Sequence, residues 1–271
     1  MLEYSKKTLL ILILAVAIIW IMYIGLRWSY KNAESNSVIR ANENTELVIS
    51  ADRADMIIER GSGNEIIING KRIKSIDDNA NGNIHEVKAK TSGIFGSEKG
   101  ILRITLPENA IKSLSLKTAT GDISIIRTEL DELYIDVVTG NVEGANINAK
   151  RKIQINSTTG DVELIDSMTD EINVKLTTGD FEAIGISAKT LNLKSTTGDS
   201  YIVPEYLEKL DANVTTGDIE LELKEEPKAI SWSTGHGELS INDEEFKGDF
   251  IGKGILEIYA KTSNGDLEIK Y

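Results

Sequence analysis

From Thr158 to Asp218 the chain reads TTGDVELIDSMTDEINVKLTTGDFEAIGISAKTLNLKSTTGDSYIVPEYLEKLDANVTTGD, in which T-T-G-D returns at intervals of 19 residues. Working outward, the same glycine is found at Gly121, Gly140, Gly160, Gly179, Gly198, Gly217 and Gly235, with spacings of 19, 20, 19, 19, 19 and 18. Gly265 follows after 30, which reads as a final coil carrying an insertion. A fixed period of this length is the mark of a repeat architecture.

Alignment on the glycine exposes a second regularity. Seven positions before it stand Leu114, Leu133, Ile153, Ile172, Leu191 and Leu210, and five before it Leu116, Ile135, Ile155, Val174, Leu193, Ala212, Ile230 and Ala260. Two after it lie Ile123, Val142, Val162, Phe181, Ile219 and Leu267, and four after it Ile125, Leu164, Ile202, Leu221 and Ile269. Polar residues such as Gln154, Asn173, Lys175 and Lys194 fill the gaps. Alternation with period two is the pattern of strands with one buried face. Stacked hairpins and a parallel solenoid both use strand–turn–strand units. The solenoid is favoured because only there do equivalent residues of successive coils touch, rewarding like on like. The expected fold is all-β, a parallel β-helix or β-solenoid of about 19-residue coils.

The glycine column reads as a structural corner that needs positive φ. The threonine just before each glycine falls on the inward parity and is expected to form an internal hydroxyl ladder. After the glycine come Asp122, Asn141, Asp161, Asp180, Asp199, Asp218, His236 and Asp266. Stacked carboxylates about 4.8 Å apart would repel. Three resolutions are open: capping of the turns by backbone N–H groups, neutralisation by Lys117, Lys175 and Lys194, or coordination of a hard cation. Asp161, Asp180, Asp199 and Asp218 are the candidates for that last role. Thr158, Thr177, Thr196 and Thr215 form an outer stripe, but the flanking positions hold Asn156, Lys175, Lys194 and Asn213, so the second threonine rank of an ice-binding face is missing.

The bulk numbers bound the function. The chain has 271 residues, 41% of them hydrophobic, and a net charge of −13. A core of useful size is available, and nucleic acid is excluded as a partner because phosphate binding needs clustered Lys and Arg. No cysteine is present, which removes disulfides and thiolate chemistry. His85 and His236 are the only histidines, and no nucleophile-elbow, zinc or nucleotide-binding motif stands in a fitting context. The carboxylates belong to the repeat rather than interrupting it. The reading is a non-enzyme without a cofactor.

Thr8 to Leu26 is an uncharged run, TLLILILAVAIIWIMYIGL, bracketed by Lys6, Lys7, Arg27 and Lys31. Its length suits a helix crossing a bilayer, with Tyr4, Trp20, Tyr23 and Trp28 placed as an interfacial belt. A cleaved signal peptide is disfavoured, since the run is long and no small-x-small site follows. The expected organisation is a tail (1–7), a transmembrane helix (8–26), a polar stalk (27–44) and a solenoid (45–271). Regular coils cover about 111–241, and a terminal insertion and cap cover 242–271. A single-pass protein of the cell membrane results, with the solenoid outside as the simpler arrangement and a membrane or cell-wall component as its partner. Within the insertion, Phe246 and Phe250 are candidates for partner contact, or else part of a cap over the open end.

The stretch ILRITLPENAIKSLSLKTATGDISI, residues 101–125, followed by the T-G-D coils, resembles the bacterial putative-adhesin β-helix family. Pro107 and the coil of Gly121 match that family's opening. With the apolar segment ahead of it, the chain is similar to LiaG-like membrane-anchored proteins. The resemblance implies a non-catalytic envelope scaffold, either modulating an envelope-stress response or binding an external ligand as an adhesin. It carries over no catalytic residues.

Overall fold

The computed structural model describes residues 34–91, 99–109, 111–247 and 250–271. The expected anchor at 8–26 lies outside the described residues. The described chain is all-β. Its first part holds β1 (Glu34–Arg40), β2 (Glu46–Arg60), β3 (Glu65–Lys71), β4 (Ile73–Asn81), β5 (Ile84–Thr91) and β6 (Gly100–Leu106). The regular body runs through β7 (Ile111–Thr120), β8 (Ile123–Thr139), β9 (Val142–Thr159), β10 (Val162–Ile165), β11 (Glu171–Thr178), β12 (Phe181–Thr197), β13 (Ser200–Thr216) and β14 (Ile219–Glu222). The chain closes with β15 (Ala229–Ser233), β16 (Leu239–Ile241), β17 (Glu244–Glu245), β18 (Phe250–Ile251), β19 (Glu257–Asn264) and β20 (Leu267–Lys270).

The body is a parallel solenoid whose rungs have three sides. The first side precedes each glycine, and its register sets Leu114 against Leu133, Leu133 against Ile153, and Ile172 against Leu191. The second side follows the glycine, stacking Ile123 on Val142 and Phe181 on Ser200. A third, shorter side pairs Leu130 with Ala149 and Ala188 with Leu207. The inward columns of all three sides meet in one continuous core, in which Phe181 is the bulkiest fully buried side chain. Each large aliphatic side chain buried there contributes about 1.5–3 kcal/mol. This repeated gain offsets the entropy of ordering so many residues.

The corner between the second and third sides escapes a reading based on glycine. It falls six residues after the glycine, at Arg127, Asn146, Asp166 and Gly185, with φ between 46° and 68°. Asn, Asp and Gly tolerate this left-handed conformation best. In the next coil Pro204 takes the place and the register shifts by a bulge.

Coil order in space departs from coil order in sequence at both ends. Near the N-terminus, β2 lies between β5–β6 and β7–β8, so that Ile49 faces Val87 on one side and Leu116 on the other. Near the C-terminus, β19–β20 lie between β13–β14 and β15–β16, and Ile258 faces both Leu210 and Ile230. The chain therefore leaves β14, builds the outermost coil, and returns through the insertion to fill the gap it left. Antiparallel strands then close both ends: β1 on β3 and β3 on β6, β4 on β5, β18 on β15, and β17 on β16. Changing strand direction and shortening the last strands blunts the open edges of a parallel stack.

Three expectations need correction. Residues 34–40, expected as stalk, form β1, whose alternation buries Ile39. The corner of the penultimate sequence coil is Gly237 and not Gly235: Gly237 has φ 156° and packs on Gly265. Ile230 accordingly stacks on Ile258, two places from the column first assigned to it. Finally, the threonines before the glycines are not inward. Thr139, Thr159, Thr178 and Thr197 are exposed. The last inward position is three before the glycine, at Thr118, Val137, Ser157, Leu176, Ser195, Val214 and Thr262. The chain starts to turn there, so both following residues lie outside.

Candidate functional site: the corner ladder and the groove of the first side

At the glycine corner the backbone runs out of ordinary sheet partners. The glycine N–H donates forward to the next coil, as Gly160 does to the Thr178 carbonyl at 3.0 Å. The N–H of the following residue points back to the previous coil, where the side-chain oxygen of that coil's acid or amide accepts it. Asn141 N–H donates to Asp122 Oδ1 at 3.0 Å, Asp161 to Asn141 at 3.0 Å, and Asp180 to Asp161 at 2.9 Å. The row continues from Asp199 to Asp180, Asp218 to Asp199, Asp266 to Asp218 and Glu238 to Asp266. It begins with Asp122 N–H on Asp55. The carboxylates therefore cap the turn of the neighbouring coil rather than their own.

This geometry accounts for a stack of like charges. Each carboxylate meets a backbone dipole, and Asn141 interrupts the charge. Lys99 bridges Asp55 at 3.1 Å and Asp122 at 2.9 Å at the N-terminal end. The N–H of Asn141, seconded by the Lys99 ammonium, holds the Asp122 carboxyl below its ordinary value. Asp122, followed by Asp55, raises the Lys99 ammonium above its own. Lys117, Lys175 and Lys194, expected as neutralising partners, stand elsewhere on the first side. Asp161, Asp180, Asp199 and Asp218, the cation candidates, sit one per coil with Oδ1 already bonded to backbone. No group of three acidic, histidine or cysteine side chains among the described residues could enclose a metal ion.

The eight glycines singled out by spacing divide accordingly. Gly121, Gly140, Gly160, Gly179, Gly198, Gly217 and Gly265 form the stacked corner with φ between 133° and 155°, while Gly235 stands outside it. Phe246 and Phe250 meet edge to face, with centroids 5.8 Å apart, and pack half-buried against the last coils.

A feature that sequence reading missed is an open groove of about 720 Å³ on the first side. It crosses six neighbouring coils, from Lys88 and Lys90 on β5 to Lys175 and Thr177 on β11. Ala51, Ala89, Thr118, Val137 and Ser157 form its floor. Its site is legible only once β5 and β2 are known to stack beside β7.

A three-sided parallel solenoid with polar faces and antiparallel caps defines a repeat-built scaffold. The chain belongs to the Toastrack DUF4097 family, whose model matches residues 44–270. No curated protein matches it. Among solved structures it is similar to a putative adhesin from Bacteroides fragilis, at 18% identity over 88% of this chain and 97% of that one, with a TM-score of 0.54. Putative adhesins from Parabacteroides distasonis (12% identity, 88% and 97% covered, TM-score 0.52) and Parabacteroides merdae (15%, 87% and 95%, 0.51) share the fold.

Proposed function

We propose that this protein is a non-catalytic adhesin, a binding scaffold tethered to the cell membrane by segment 8–26 and displayed outside it. The observation that carries this reading is the first side. There, an uninterrupted parallel sheet presents polar side chains in register and a groove across six coils. The corner carboxylates, the most conspicuous chemistry in the sequence, are engaged in holding coils together. The putative-adhesin descriptions of three structures sharing the fold support the same reading. β1 is the outermost strand of the second side at the N-terminal end, so a tether ahead of it would hold the solenoid by that end and leave the first side free.

Retention under flow tests the proposal. Non-adherent bacterial cells displaying the full chain should stay on extracellular-matrix-coated surfaces better than cells displaying residues 1–44 alone. Equal retention on every surface tried would remove the adhesin reading.

A further inference from the structure

On a protein of net charge −13, one row of side chains on the first side carries the opposite sign. In stacking order it reads Lys88, Ser50, Lys117, Asp136, Asn156, Lys175, Lys194, Asn213 and Lys261, one residue per coil. Lys117 leans on Asp136 at 3.8 Å. Lys88, Lys175, Lys194 and Lys261 are exposed and have no ion-pair partner among the described residues. Elsewhere on the surface several lysines are paired, such as Lys150 with Asp131, Lys189 with Asp170 and Lys228 with Glu257. The first six positions of the row line the groove, together with the hydroxyls of Thr158 and Thr177.

Resting on the adhesin reading, we infer that this groove binds an acidic polysaccharide lying along the solenoid axis. Neighbouring coils are about 4.8 Å apart, so six coils offer a track of roughly 24 Å. A pyranose unit advances its chain by a length comparable with one coil. The spacing of charge selects the ligand class. Lysines stand at the first, third and sixth coils of the groove, whereas Ser50, Asp136 and Asn156 occupy the second, fourth and fifth. A polymer with an anion on every unit would meet Asp136. One whose carboxylates alternate with neutral sugars sets anions at the first, third and fifth coils, on Lys88, on Lys117 and between the Asn156 amide and Lys175 of the adjoining coil, and keeps a neutral unit over Ser50 and Asp136. Among the described residues no aromatic ring lines the groove, so the base-stacking platform of single-stranded nucleic acid binding is absent. The groove crosses the middle of a sheet and offers no free edge for a peptide strand to join.

The full chain in detergent micelles, titrated calorimetrically with hyaluronan oligosaccharides, tests this. Hyaluronan carries a carboxylate on every second sugar; dextran is the neutral control and oligo-dT the nucleic acid control. Binding of hyaluronan that weakens with added salt, with dextran inert, is the expected result. The double variant K88Q/K175Q should bind roughly tenfold more weakly, from two exposed ion pairs lost. Both lysines are unpaired, so its fold should stand, as circular dichroism will verify, and K228Q should bind as the parent does. Unchanged affinity in the double variant, or tighter binding of oligo-dT than of hyaluronan, overturns the inference. Retention under flow that survives K88Q/K175Q would overturn it too while leaving the adhesin reading in place. Loss of all retention by the parent chain, with hyaluronan still bound, would remove the adhesin reading alone.

Discussion

A single glycine shows how tightly the corner is specified. Gly179 has φ 142°, a region that residues with a Cβ rarely enter, and a Cβ built there would lie 2.1 Å from the carbonyl oxygen of Gly160. Backbone meets backbone, so no side chain can move aside. Gly179→Ala should therefore cost about 3 kcal/mol, from strained φ and overpacking together. Gly82 makes the comparison: φ is also positive, at 64°, but nothing lies within 4 Å of the added Cβ. Gly82→Ala should cost about 1 kcal/mol. Urea denaturation of the two variants separates the contributions, and similar losses at both sites would refute steric stacking at the corner. The interior is less demanding at the position three before each glycine, where Thr118, Val137, Ser157, Leu176 and Ser195 all serve. That mixture hid this inward column from a search for apolar residues.

Between elements, the acid after each glycine acts as a staple from one strand pair to the next. Asp199 Oδ1 receives the N–H of Asp218 at 2.9 Å. Asn141 does the same for Asp161 at 3.0 Å without a charge, so the oxygen matters rather than the ionised state. Asp199→Asn should leave stability within a few tenths of a kcal/mol, while Asp199→Ala should lower it by about 1 kcal/mol. Hydrogen exchange at the Asp218 amide is the direct measurement. Equal protection in both variants would mean that the side chain is not the acceptor in solution. The T-G-D string was legible at once, but its partner was not. A sequence shows which residues are adjacent along the chain, and the bond here joins residues 19 apart.

For the whole molecule, the two intercalated coils decide cooperativity. In a simple solenoid each repeat touches its sequence neighbours, and trimming the end removes only the last unit. Here β19 and β20 lie between β13–β14 and β15–β16. Truncation after Ile241 should thus release the coil of β15 and β16 as well, and leave β13 and β14 as an open edge. The expected outcome is loss of exchange protection over 229–241 together with self-association on gel filtration, because unpaired strand edges recruit one another. A monomeric truncation product with 229–241 still protected would contradict the coil order. Phe246 and Phe250 lie on the same insertion, before the chain enters the gap at β19, and pack against the core there.

Local pattern and backbone sterics determined the fold class, the coil length and the residue type of the corner on their own. Alternation places one face of a strand inward whatever its neighbours are, and a stacked corner of positive φ admits little but glycine. Tertiary structure alone decided which coils touch. Gly235 and Gly237 are equally plausible corners along the chain, and only the match of Ile230 to Ile258 selects between them. Six positions after the glycine, Arg127, Asn146, Asp166 and Gly185 share a backbone conformation but no chemistry, so the second corner waited for its geometry. The lysine row is the fullest case. Lys88 and Lys117 are 29 residues apart in the chain, and become near neighbours only because β2 is threaded between β5 and β7.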